Sequence, residues 1–401
     1  MMEAIGLPGG ALVNYIFPNN AHVTWSIMIV IYPYITGLVA GAFVLSSMYH
    51  VFGVKEFKPI ANFALVAAFS FGLFAAMPLL VHLGQPQRAY QIYTTPHTTS
   101  AMSIFGYVYS SYLVLLMIEI WVIYRKVFIE KANETVGNMA IFWKILCLGI
   151  TTYNPESAHF DKKLAKFLAG IGIPWACLLH GYVGFVFGSV KAVAWWATAL
   201  QPFIFLSSAI VSGIAMMFLM YSFIMWRRGQ GYDYALIKKF IITLWMAFIL
   251  DYALEVLEIA FVGYEQGAHW AVIKPLLMGP LYNSYVLGQM GILSLGPLLV
   301  LGIASLLDIK DKALLYLGNL GSLMLVFQVL VMRFNVVVGG QLISKSERGF
   351  VDYEFEFFAK EGLLTAGIIM VAPFVTYYII SRFIPIFEGK SMDTEPKRAS
   401  M

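Results

Sequence analysis

The sequence predicts an all-α integral membrane protein with about nine transmembrane helices, and three observations carry that prediction. Of 401 residues, 60% are hydrophobic and 12% charged, against roughly a quarter charged in a soluble domain. Apolar runs of about 20 residues, the length that a bilayer's hydrocarbon demands, recur along the whole chain. These runs are continuously apolar instead of alternating, which excludes a membrane β-barrel.

Taken in order, the runs lie at 25–51, 60–82, 101–124, 165–188, 201–226, 237–263, 283–307, 312–336 and 362–386. The apolar piece 137–150 is too short to span and carries Lys144, so it reads as an interfacial helix. Residues 1–24 form an N-terminal segment with neither a charged n-region nor a cleavage-site pattern, so no signal peptide is expected. Residues 387–401 form a polar tail.

Charge sets the orientation. With nine spans, nineteen of the 26 Lys and Arg fall in one set of loops, from Lys55 and Lys58 to Lys397 and Arg398, and six in the other. The positive-inside rule then places the C-terminus in the cytoplasm and the N-terminus in the periplasm of a prokaryotic inner membrane. The net charge of +4 is a topology signal, and no nucleic-acid partner is expected.

Two cysteines, Cys147 and Cys177, cannot supply an iron–sulfur cluster, and no C-x-x-C-H is present for covalent haem. No metal site, haem or cluster is therefore expected in this chain. His22, His82, His97, His180 and His269 lie towards the outer side, where they can bind a polar head group or satisfy helix ends.

Ionisable residues within spans are costly in lipid and so invite explanation. Asp251, Glu255 and Glu258 share one stripe of the sixth run and are expected to face the bundle interior. Arg333 lies at about the depth of Glu258, which suggests a structural ion pair between them. Glu119 sits alone in the third run, about a turn and a half from its cytoplasmic end. Two readings stay open for the acidic stripe, helix-to-helix glue and a proton-transfer line; Glu119 reads as a proton entry.

Three stretches carry a resemblance. The first run holds Trp25 and then Tyr32-Pro-Tyr-Ile-Thr-Gly37-Leu-Val-Ala-Gly41-Ala-Phe43; the second ends in His82-Leu-Gly84-Gln-Pro86-Gln-Arg88-Ala, followed by Pro96 and Ser103. The fourth has Tyr182-Val-Gly184-Phe185, followed by Pro202 and Phe205-Leu-Ser-Ser208-Ala209. In this order they resemble the NrfD/PsrC family of membrane quinone-reactive subunits. Arg333-Phe-Asn335, Gly339-Gly340-Gln341 and Glu361 resemble its longer DsrP- and HybB-type members.

The resemblance implies two four-helix bundles plus one extra helix. The first bundle, 25–190, binds the quinone, the second is 191–340, and an outer loop and ninth helix occupy 341–386. It also implies a bound menaquinone or other quinone near the periplasmic face, contacted by Tyr182 and His22, with His82, His180 and Arg88 as further candidates. No residue of this chain is expected to be catalytic in its own right. Electrons would pass to a ferredoxin-like iron–sulfur subunit on the periplasmic face, within a respiratory complex such as a sulfur-metabolising one of DsrP type. The second bundle, by this division, stands apart from the quinone. A secondary transporter and a non-catalytic membrane anchor are the rival functions.

Overall fold

The computed structural model describes residues 22–344, 347 and 349–387. Most of the N-terminal segment, Lys345 and Arg348 of the outer loop, and the tail from 388 lie outside the described residues.

Helix α1 (Ile27–His50) is nearly all apolar, is capped by the Ser26 side chain, and has nineteen buried residues. A helix apolar all round belongs inside, and α1 is the axis of the molecule. Around it pack α2 (Lys58–Ala75), α7 (Pro155–Gly188), α8 (Gln201–Arg228), α12 (Asp311–Val337) and α13 (Leu363–Phe383). The short α3 (Met77–His82) and α4 (Gln91–Thr94) follow α2, and α5 (Ala101–Glu134) lies along α7 and α2. On the other side of α1, α9 (Tyr234–Glu265) packs with α8 and α12, and α11 (Leu293–Leu306) with α9 and α12. The remaining pieces are α6 (Asn138–Leu146) and α10 (Ala268–Met278), together with a π-helical segment, Tyr282–Ile292, that runs into α11.

Eight helices among the described residues are long and apolar enough to cross a membrane, and they coincide with eight of the nine expected runs. The exception is the third, α5, which is 34 residues long but is interrupted by Tyr107, Tyr109, Ser110, Ser111 and Tyr112. The expected interfacial piece is α6, which exposes Ile141, Phe142 and Ile145 and buries Trp143.

One contact decides how closely the halves approach. A Cβ on Gly41 would come within 2.4 Å of the Ala209 carbonyl oxygen, and one on Gly213 within 2.4 Å of the Gly41 Cα. The two backbones therefore touch where α1 crosses α8, as small residues permit between membrane helices. Trp25, Tyr182, Gln201, Glu258 and Glu361 share one end of the molecule, called the Trp25 end below. Lys55 marks the other, where Arg125 on α5 and Asp161 on α7 form a pair at 3.1 Å.

Candidate functional site

At the Trp25 end the chain leaves an open cleft of about 300 Å³ beside His22, Trp25, Trp196 and Gln341. Its aromatic wall is built by packing. Trp25 stacks on Trp196 at 5.4 Å between ring centroids and meets Phe187 edge-on. The Trp195 and Trp196 indoles donate to the Asn335 and Val336 carbonyls at 3.1 and 2.6 Å, which ties the loop after α7 to the end of α12. Only glycine fits at 340, because a Cβ there would lie 2.2 Å from the Trp196 Nε1. The cleft combines flat apolar rings with polar His22 and Gln341, and its size reaches the lower end of the ~300–1,000 Å³ usual for small-molecule sites.

Tyr182 is not among the residues lining that cleft. Its ring stacks on Phe105 at 6.5 Å, and its hydroxyl donates to the Ala101 carbonyl at 3.0 Å, where α5 begins. His82 belongs to a third cluster. Its Nδ1 lies 2.5 Å from Glu361 Oε2, and Ser26 Oγ donates to the same oxygen at 2.6 Å. Partial burial alone would raise the Glu361 carboxyl, but the Ser26 and His82 bonds, with Lys360 nearby, hold it below the usual carboxylate range. Arg88 is exposed on a short turn, Pro86–Arg88. Tyr182, His22 and His82 thus share an end but not a pocket.

His180 departs furthest from expectation. It is fully buried and lies in the interior, not on the outer rim. Arg333, also fully buried, donates through Nη2 to His180 Nε2 at 3.1 Å, to Ser208 Oγ at 2.7 Å and to the Phe205 carbonyl at 3.1 Å. Its guanidinium lies over the Phe205 ring, 3.9 Å from the centroid, a favourable place for a desolvated cation.

The expected Glu258–Arg333 ion pair does not form. No carboxylate comes within ion-pair distance of Arg333 among the described residues, while Glu258 bonds to Thr198 and lines a separate cleft with His269. Equal depth fixes only the position along the membrane normal, and Arg333 turns towards α7 and α8. The other two acids occupy the interior as expected. Asp251 Oδ1 accepts from Ser207 Oγ at 2.5 Å, and Glu255 accepts from Gln289 Nε2 at 2.8 Å and Gln328 Nε2 at 3.1 Å. Asn335 then donates to Gln289 Oε1 at 2.9 Å.

These contacts form a buried polar cluster: Ser207 and Ser208 share the Ile204 carbonyl, Glu255 acts on Asp251 through its charge, and Arg333 on α12 reaches His180 on α7 in the other half. The division into a quinone bundle and a separate acidic bundle is crossed at that point. Gln289 and Gln328 escaped the sequence reading, and Ser207, Ser208 and Asn335 entered it only within the resembling stretches and with no role of their own, because isolated amides and hydroxyls barely interrupt an apolar run. Gln289 depends on the π-helical segment, a feature with no sequence signature here, of a kind often found at functional positions. Glu119 on α5 is buried with neither carboxylate oxygen hydrogen-bonded among the described residues, and it acts on Tyr112 nearby. No group of three or more His, Cys, Asp or Glu able to hold a metal occurs among the described residues.

Residues 17–345 match the family described as polysulphide reductase, NrfD. The chain belongs to the NrfD family. One subunit of the selenate reductase of Mesobacillus selenatarsenatis is 32% identical over 328 residues, 80% of this chain and 74% of that protein. The Hdr-like menaquinol oxidoreductase integral membrane subunit of Archaeoglobus fulgidus is 25% identical over 195 residues, 49% of this chain and 41% of the relative. The NrfD match spans both halves of the molecule, from before α1 to the loop after α12, and so takes in the whole buried network.

Proposed function

We propose that this NrfD-family chain is the quinone-reactive membrane subunit of a multi-subunit oxidoreductase. It binds menaquinone or another quinone at the Trp25 end and exchanges electrons with an iron–sulfur partner docked there. The observation that carries this reading is the cleft walled by Trp25 and Trp196 at one end of a chain that matches NrfD from 17 to 345. The names of the two relatives, a reductase subunit and a menaquinol oxidoreductase subunit, support it.

A quinone supplies two-electron, two-proton redox chemistry when bound. The chain's own residues would hold and orient it. His22 brings two ring nitrogens for hydrogen bonding and the Gln341 amide offers both a donor and an acceptor, while the stacked indoles pack a flat ring. Tyr182 is proposed as a further head-group contact from the α5–α7 side, because its hydroxyl keeps acceptor capacity after donating to Ala101. His82, held by Glu361, and Arg88 are proposed to line the same end. Glu119 is proposed to receive protons on the Lys55 side.

In this reading α5 also spans the membrane and completes the nine, since its 34 residues lie against α2 and α7 in the same layer. The bundles are 25–190 and 191–340, with 341–386 as outer loop and ninth helix. The Trp25 end faces the periplasm of a prokaryotic inner membrane, and the docked partner is a ferredoxin-like subunit. A DsrP-like place in a sulfur-metabolising complex is one member of this class.

The purified complex tests it. His22→Ala should raise the quinol KM or lower turnover several-fold, and Tyr182→Phe should weaken turnover, both with assembly unchanged. A double variant with wild-type turnover and inhibitor affinity would overturn the site. A transporter would bring no iron–sulfur subunit through purification, and a bare anchor would bring one without binding a quinone analogue.

A further inference from the structure

We propose that the buried network is a proton store, opening at the Trp25 end between Glu258 and His269 and coupled to the quinone-binding half through the His180–Arg333 contact. This rests on the quinone-linked reading and adds to it a place where protons are held and a way for that place to sense the other half.

The protonation state of His180 follows from geometry. A guanidinium has donors only, so at 3.1 Å the His180 Nε2 must accept. His180 is therefore neutral and carries its hydrogen on Nδ1. A second proton on Nε2 would set two cations face to face in a site from which water is excluded. Protonation of His180 and its contact with Arg333 exclude one another.

The link onward runs through adjacent residues of α8. Ser208 Oγ takes one Arg333 hydrogen bond and Ser207 Oγ donates to Asp251. Glu255 lies one turn beyond Asp251 on α9, 3% exposed, and acts electrostatically on it. Asp251 Oδ2 and Arg333 Nε are buried with no hydrogen-bond partner among the described residues. One fixed cation facing two carboxyls leaves the cluster neutral only if a single proton is held between Asp251 and Glu255, because an unbalanced charge at this depth is costly. The other titratable neighbours are His180, Glu258, His269 and the phenols Tyr34, Tyr252 and Tyr285.

The outlet is visible. A narrow cleft lined by Glu255, Glu258, His269, Thr198 and Gln201 meets a wider one of about 510 Å³, which Glu258 and His269 also line. A proton leaving the Asp251–Glu255 pair passes by Glu258 to water at that mouth, and the pair becomes doubly anionic. Its added pull on Arg333 weakens the hold on His180 Nε2, which can then accept a proton given up by a quinol oxidised in the other half. No electron moves in this step. Pure helix-to-helix glue would need neither an outlet nor a cation shared with a histidine of the other half.

The test uses the assembled complex and dicyclohexylcarbodiimide, an apolar reagent that modifies protonated carboxyls, with labelled peptides read by mass spectrometry. Asp251 or Glu255 should be labelled near neutral pH, and Arg333→Gln should raise the combined label about two-fold, because both carboxyls then keep a proton. If that variant fails to assemble, Ser208→Ala removes one tether from the cation, frees it to move towards the two acids, and should lower the label instead. In liposomes, Glu258→Gln with His269→Ala should slow proton release per quinol oxidised several-fold while the label persists. No label on either carboxyl, or proton release unchanged in the double variant, would overturn the proposal. Labelling needs no quinone, so a chain that is labelled as stated yet binds no quinone analogue contradicts the quinone reading and not the store.

Discussion

Arg333 on α12 reaches His180 on α7, Nη2 to Nε2 at 3.1 Å, and this contact joins the two halves of the molecule inside the membrane. Its energetics make the two residues unequal. Replacing Arg333 by Leu strips the balancing cation from Asp251 and Glu255 and should cost on the order of 3–5 kcal/mol. Replacing His180 by Leu removes one of three acceptors on Nη2 and should cost only about 1–3 kcal/mol. Thermal unfolding of the two purified variants in one detergent checks the order, and equal losses would show that Arg333 does not serve the acids.

The Gly41–Gly213 crossing predicts a steric effect. A methyl at 213 meets the Gly41 backbone at 2.4 Å, and backbone cannot move aside as a flexible side chain can. Gly213→Ala should destabilise the fold by roughly 1–3 kcal/mol, the usual range for overpacking. A variant melting at the wild-type temperature would mean that α1 and α8 separate more easily than the contact implies.

Much of this architecture was legible in the sequence, because lipid allows few alternatives. Eight of nine runs became membrane-length helices, and Asp251 and Glu255 turned inward as an unpaired acid in lipid must. What escaped was rotation about each helix axis. Depth matched Arg333 with Glu258, yet the side chain points to His180, and nothing in one sequence records that angle. The helices also run past their apolar runs, α5 to Glu134 and α7 back to Pro155, since a helix continues into polar surroundings wherever caps and packing allow. Of the site, His22 lines the cleft while Tyr182 sits beside Phe105, a separation set by how α7 packs on α5.

The Ser26–Glu361–His82 cluster pins the start of α13 to the start of α1, and its pH dependence follows from Glu361. Its folded-state carboxyl lies below the ordinary value, so its contribution is present above the unfolded value of ~4.3 and is lost as pH falls through the lower, folded one. Glu361→Gln should therefore melt below wild type at pH 7, and the gap should close as pH drops below about 4. Parallel melting curves for the two proteins across that range would show that the carboxylate contributes nothing.

The most direct measurement of the central claim is photo-crosslinking of the assembled complex with an azido-quinone, followed by peptide mapping. The label is predicted on the segments holding His22–Trp25, Trp195–Trp196 and Tyr182, and excess menaquinone should compete it away. Label confined to the Lys55 end, or label that menaquinone does not displace, would contradict quinone binding at the Trp25 end.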